Sequence, residues 1–190
     1  VEMKRELRSR LLTARRARRP DGVATAADAL CAQVLALPEL PSAGCVAAYV
    51  SVGGEPGTGP LLDALRERGI RVLLPVLLPD DDLSWAEDTG ERTPAERGLL
   101  EPVGQRLGVD AVGDADLVLV PGLAVGADGL RLGRGGGSYD RALARVAPDT
   151  PVAVLLYDDE LLDAVPAEPH DHPVSLAVTP ARVLRFSLRA

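Results

Sequence analysis

Apolar positions along the chain fall into two patterns. Leu7, Leu11 and Ala14 recur at helical spacing between Lys4, Arg5, Arg8, Arg15 and Arg18, which predicts an amphipathic helix with a basic face. An alanine-rich stretch after the Pro20-Asp21-Gly22 break predicts a second helix reaching about Leu37. Elsewhere the apolar residues are continuous. CVAAYV (45–50), IRVLLP (70–75), DLVLVP (116–121) and PVAVLLY (151–157) are short runs that predict strands buried on both faces.

Between the first two runs, TGPLLDALRERG predicts a helix with Thr58 as its N-cap, Pro60 in its first turn and Gly69 just past its end. GSYDRALARV predicts another helix after the third run, and VSLAVT and RVLRF predict closing strands. From Leu77 to Gly113 the pattern is irregular, with LSWA as one short hairpin strand. Asp80, Asp81 and Asp82 read as a solvated acidic turn without a role. Strands alternating with helices predict an α/β fold around a largely parallel sheet, whose ligands bind beyond the C-terminal ends of the strands.

Composition adds limits. A chain of 190 residues, 46% apolar, suits one domain over residues 1–190. Its net charge of -7 argues against a nucleic-acid or anionic-membrane partner, although eight of the 21 basic residues fall within the first 19 positions. Cys31 and Cys45 lack CxxC spacing and read as buried reduced thiols, which suits the cytoplasm. No apolar run approaches the roughly 18 residues that span a bilayer. A monomer is expected.

The chemistry concentrates in RLGRGGGSYDR (131–141). Gly133, Gly135, Gly136 and Gly137 follow a strand and precede a helix, so backbone N–H groups there can approach phosphate oxygens, with Arg131 and Arg134 to neutralise charge. The stretch lacks the Lys-Ser/Thr ending of a Walker A loop and fits a dinucleotide fingerprint poorly. A flexible glycine turn is the alternative. Asp140 would repel a polyphosphate unless magnesium intervened, or it is an ordinary first-turn aspartate. Tyr139 either lies against a ring or packs.

YVSVGGEPGTG (49–59) places Glu55 in a glycine-rich loop after a strand, where a carboxylate accepts N–H donors from a heterocycle or simply sits on the surface. EPHDHP (168–173) holds His170 and His172 around Asp171. Zinc is disfavoured there without a further cysteine or histidine, and Asp171 reads better as a second magnesium carboxylate.

Taken with KRELRSRLLTARR, GLLEP, the long segment DLVLVPGLAVGADGLRLGRGGGSYDR and the HD pair before a strand ending in Thr179, these stretches resemble the 5-formyltetrahydrofolate cyclo-ligase (5,10-methenyltetrahydrofolate synthetase) family. The resemblance spans most of the chain. It implies a single-domain three-layer sandwich of the NagB/RpiA/CoA-transferase-like kind, and ATP- and Mg2+-dependent closure of 5-formyltetrahydrofolate to 5,10-methenyltetrahydrofolate.

By position, the resemblance implies that Lys4 and Arg8 hold ATP phosphates. Arg131, Leu132, Gly133, Arg134, Gly135, Gly136, Gly137, Ser138 and Tyr139 form the nucleotide loop, and Arg134, Tyr139 and Asp140 are catalytic. Asp140 and Asp171 hold magnesium, while Val50, Glu55, Glu101 and Pro102 serve the folate. Three positions depart from the family pattern: Ser138 replaces a tyrosine, Val125 an aromatic residue, and Ser175 an aspartate. They imply a lost aromatic wall and altered folate affinity. Two other readings remain open, a sugar-phosphate isomerase or CoA-transferase relative that needs no ATP, and a nucleotide- or folate-binding homologue without catalysis.

Overall fold

Each of the four continuous apolar runs becomes a strand whose alternate side chains enter different cores. In the computed structural model, which describes residues 1–187, they are β1 (Cys45–Ala47), β2 (Arg71–Leu77), β6 (Leu117–Pro121) and β9 (Val152–Leu155). The expected domain range of 1–190 ends outside the described residues. Antiparallel β3 (Leu83–Glu87), which contains the LSWA stretch, folds back on β2, and β10 (Leu176–Val178) is followed by β11 (Val183–Arg185). The sheet runs β11-β10-β9-β6-β1-β2-β3, with antiparallel strands at both edges and the five between them parallel.

Both sheet faces are covered. Val46, Leu74, Leu119 and Leu155 pack beneath α2 (Pro20–Leu35) and α3 (Gly59–Glu67), through Leu30, Val34, Leu61 and Leu65. Ala47, Leu73, Val120 and Val154 face the other way, onto Trp85, Val112, Ala142 and Leu143, where the short helix α4 (Ser138–Leu143) and a 3-10 turn over Val109–Asp114 complete the third layer. Burial on both faces is why these runs do not alternate with polar residues.

Several boundaries differ from the expected ones. Pro20 opens α2, because its fixed φ and missing N–H suit the first helical turn, so Pro20-Asp21-Gly22 is the start of the helix and not a break before it. Thr58 is the N-cap residue of α3, as expected, and its carbonyl accepts from Leu62 N–H at 2.9 Å, but its side chain makes no capping bond. Its Oγ1 donates to the Tyr49 carbonyl at 2.8 Å and accepts from Ser51 N–H at 2.9 Å.

Helix α1 (Glu2–Arg16) differs most. Lys4, Leu11 and Arg15 are buried, Arg8 is half-buried and Ala14 is exposed. The inward stripe is therefore 4-8-11-15, mostly basic, while Leu11, with Leu7 and Leu12 beside it, packs on a small apolar cluster that includes Leu123 and Val165. Cys31 is half-buried in α2 and Cys45 buried in β1, both free thiols. Among the described residues no helix is long and apolar enough to cross a membrane.

Candidate active site

The chain visits β2 on one side of β1, and β6, β9 and β10 on the other, so the strand order reverses between β1 and β6. Loops leaving adjacent strands at such a point diverge and open a crevice. A cavity of about 460 Å3 lies there, lined by Tyr49, Val50, Val52 and Glu55 after β1 and by Pro121, Gly122 and Leu123 at the end of β6.

The first loop is closed by paired bonds. Ser51 N–H donates to Thr58 Oγ1, and Thr58 N–H returns a bond to Ser51 Oγ at 3.0 Å. Inside this loop Glu55 is buried, its carboxylate accepting from Val52 N–H at 2.9 Å and lying 3.6 Å from the Arg134 guanidinium. Burial raises its pKa above the ordinary value of 4.5, and the Val52 bond and Arg134 only partly offset this.

The second side is built by the glycine segment. A hairpin of β7 (Ala124–Val125) and β8 (Arg131–Leu132) leads into Gly133–Gly137, where Gly135 and Gly137 take positive φ values of 112° and 74°. A Cβ at Gly133 would meet Arg131 Nη1 at 2.8 Å. Arg8 reaches over from α1 and donates to the Gly133 carbonyl at 2.8 Å.

Arg131 does not project freely into the cavity. It is buried, donates to the Pro121 carbonyl at 3.0 Å and lies 3.5 Å from Asp140. Burial lowers its pKa, while the nearby Asp140 opposes that. Lys4 is likewise engaged, with Nζ 2.8 Å from both Glu168 and Asp171. The turn carrying these acids is itself tied, because Glu168 N–H donates to Asp171 Oδ2 at 2.7 Å.

Asp140, His170 and Asp171 each offer one ligand atom, all within 4.8 Å of one another. Carboxylate oxygens are hard donors suited to magnesium, so these residues fit such an ion. His170, weighed in the sequence only for zinc, is a third candidate ligand. His172 is not part of this group.

A hairpin of β4 (Arg92–Pro94) and β5 (Leu100–Pro102) borders the cavity, contributing Arg97, Leu99, Leu100 and Glu101. Leu77 and Leu83 extend the apolar surface. The structure thus brings Lys4, Arg8, Val50, Glu55, Glu101, Arg131, Gly133, Arg134, Gly135, Gly136, Gly137, Ser138, Tyr139, Asp140 and Asp171 to one cavity. It leaves out two expected residues. Leu132 turns into a small core with Leu11, Leu123 and Val165, as strand alternation opposite Arg131 and Gly133 requires. Pro102 lies beyond Glu101 and does not line the cavity.

Two of the departures lie elsewhere as well. Val125 is buried in the core beneath the sheet, and Ser175 accepts a bond from Val152 N–H at 2.8 Å. Only Ser138 of the three borders the cavity. Arg15, which sequence reasoning missed, also lines it, donating to Gly122 O at 2.6 Å and to Glu160 at 2.8 and 3.0 Å. Its position seven residues after Arg8, on the same helical stripe, was the available signal.

Comparison with known proteins shows the family and the fold. The family model for the 5-formyltetrahydrofolate cyclo-ligase family matches residues 1–180. A 5-formyltetrahydrofolate cyclo-ligase of Mycolicibacterium smegmatis is 48% identical over 143 residues, 72% of this chain and 74% of that protein. The protein of the same name from Escherichia coli K12 is 30% identical, covering 89% and 96%. The solution structure of Aquifex aeolicus 5,10-methenyltetrahydrofolate synthetase superposes with a TM-score of 0.84 at 28% identity, over 99% of this chain and 95% of that one. With the match running from α1 through the glycine segment to the Glu168–Asp171 turn, the chain belongs to the 5-formyltetrahydrofolate cyclo-ligase family.

Proposed function

We propose that this chain converts 5-formyltetrahydrofolate and ATP to 5,10-methenyltetrahydrofolate, ADP and phosphate, with magnesium. The observation that carries this reading is that one cavity joins two unlike halves. One half holds the glycine segment, Arg8, Arg134 and the Asp140-His170-Asp171 group, and the other holds Glu55 and the apolar residues Leu77, Leu83, Leu99 and Leu100. A polyphosphate suits the first and a heterocycle with an apolar body the second.

The reaction needs alignment more than a protein nucleophile. The formyl oxygen attacks the γ-phosphorus, forming an O–P bond as the bond to the β-phosphate oxygen breaks and ADP departs. N10 then bonds to the formyl carbon, loses its proton, and phosphate leaves with the former formyl oxygen. An amide-like oxygen leaves poorly until it is phosphorylated, and the activated compound is open to water. Holding two substrates in line and keeping water out are therefore the chain's main tasks.

In this reading the N–H groups of Gly133–Gly137 and the Arg8 and Arg134 side chains hold the phosphates, with Tyr139 against the nucleotide or folate. Asp140 and Asp171, with His170, would hold magnesium, which when bound there supplies positive charge against the phosphate oxygens. Arg131, which also lines the cavity, orients Asp140. Lys4, with two of its three donors on Glu168 and Asp171, has one left for a phosphate. Glu55 accepts N–H donors of the folate heterocycle, beside Val50 and Glu101.

The deciding experiment follows the absorbance of methenyltetrahydrofolate formed from 5-formyltetrahydrofolate. Product that requires both ATP and Mg2+, and falls by at least about 100-fold in Asp140→Asn, supports the reading. A folded, ATP-binding protein that forms no product rejects it. A fully active Asp140→Asn variant removes the metal assignment alone.

A further inference from the structure

We propose that Arg97 forms a carboxylate-binding subsite at the mouth of the cavity and anchors the glutamate tail of the folate. This rests on the folate reading above and adds to it the residue that recognises the end of the substrate remote from the reacting formyl group.

Among the described residues, the non-glycine positions with positive φ are Asp81, at 66°, and Arg97, at 58°. They are paired with each other, Arg97 Nη1 lying 2.9 Å from Asp81 Oδ1. Arginine gains nothing locally from left-handed backbone, and such conformations persist where surrounding structure imposes them, often at ligand sites.

The Asp81 side of the pair is firmly mounted. Arg145, just past α4, grips Asp82 through two bonds of 2.7 and 2.6 Å, and Arg141 of α4 donates to the Asp80 carbonyl at 3.1 Å. The Arg97 side is loosely engaged. No donor is aligned on Asp81 Oδ1 despite the short distance, so charge alone holds the pair. The Arg97 side chain is 63% exposed, and its planar fork of donors is available to a carboxylate.

Its position specifies the ligand chemistry. Arg97 lines the cavity with Leu99 and Leu100 of the β4–β5 hairpin, so an exposed cation adjoins an apolar wall. A ligand with an apolar, aromatic body ending in a carboxylate matches this order. Asp81 holds the guanidinium in place until the ligand's own carboxylate replaces it.

The test measures binding calorimetrically for two compounds, 5-formyltetrahydrofolate and the primary amide of 5-formyltetrahydropteroate, a pteroate analogue that lacks the glutamate and carries no carboxylate. Arg97→Asn removes the charge while keeping a residue that tolerates left-handed backbone. It is expected to weaken 5-formyltetrahydrofolate binding roughly tenfold and to leave the pteroate analogue unchanged. Asp81→Asn, which removes the competing carboxylate, is expected to tighten the first and not the second. Equal effects on both compounds, or none on either, would overturn the proposal. Glutamate-dependent binding by a wild-type protein that forms no product would reject the cyclo-ligase reading and keep this subsite. Failure of the wild type to bind either compound would reject both.

Discussion

Lys4 Nζ and Asp171 Oδ2 lie 2.8 Å apart across 167 residues of sequence, joining the first helix to the turn at the far side of the site. Burial lowers the lysine pKa, but its bonds to Asp171 and Glu168 outweigh this and raise it above 10.5. Burial likewise pushes Asp171 upward, and Lys4 with the Glu168 N–H outweighs it, holding the carboxyl below 3.8. The lysine therefore contributes stability that is full below pH 10.5 and lost as pH rises through its raised folded value. The aspartate contributes stability present above pH 3.8 and lost as pH falls through its depressed value.

Thermal unfolding of the wild type and Lys4→Met across this range checks the pair. The variant is expected to be less stable by on the order of 2 kcal/mol between these limits. The difference should narrow beyond both. A gap independent of pH would mean that Lys4 acts by packing alone.

The second buried pair makes a sharper prediction about cost. Arg15 and Glu160 are almost fully enclosed, and Glu160 also accepts the Tyr157 N–H at 2.9 Å. Removing one partner leaves a desolvated charge, so Arg15→Met is expected to lose about 3 kcal/mol in denaturant unfolding. Arg15→Met with Glu160→Gln should recover part of it. Full additivity of the two changes would show that the ion pair is not coupled.

These two pairs also mark the limit of what sequence alone disclosed. The strands were legible because continuous apolar runs have one main use in an α/β protein, burial on both faces. The glycine segment was legible because Gly135 and Gly137 occupy backbone that other residues resist. Helix α1 was legible only in part: Leu7 and Leu11 pack inward as their spacing predicts, but its other buried residues are charged. Lys4 and Arg15 look like a solvated face until Asp171 and Glu160, both more than 140 residues away, supply their partners. The hairpin residues Arg97, Leu99 and Leu100 were missed for a related reason. Their segment has no regular period, and its relation to the cavity comes from β2, β3 and β5 packing together.

Val125 shows how a departure from a family pattern changes meaning in the fold. Its side chain packs with Val120, Val154 and Leu156, away from the cavity. Val125→Tyr is expected to overfill this core and lose about 1–3 kcal/mol without lowering KM for the folate. Denaturant unfolding and steady-state kinetics on the same preparation check both halves. A lowered KM at unchanged stability would return the position to the substrate site.

Glu55 tests whether a costly buried carboxylate is kept for binding. Its pKa is raised above 4.5 by burial, so the protonated form is more favoured in the folded chain than in the unfolded one. As pH climbs from 4.5 through the folded value the group ionises at a cost, and the protein loses stability over that interval. Glu55→Gln preserves an acceptor for Val52 N–H while removing the charge. The variant is therefore expected to match the wild type below pH 4.5 and to exceed it above, in thermal unfolding. Its KM for 5-formyltetrahydrofolate should rise roughly tenfold, with KM for ATP unchanged. A more stable variant with unaltered folate KM would leave Glu55 without a binding role, whereas a stability gain paired with a folate defect is the signature of a carboxylate retained for its ligand.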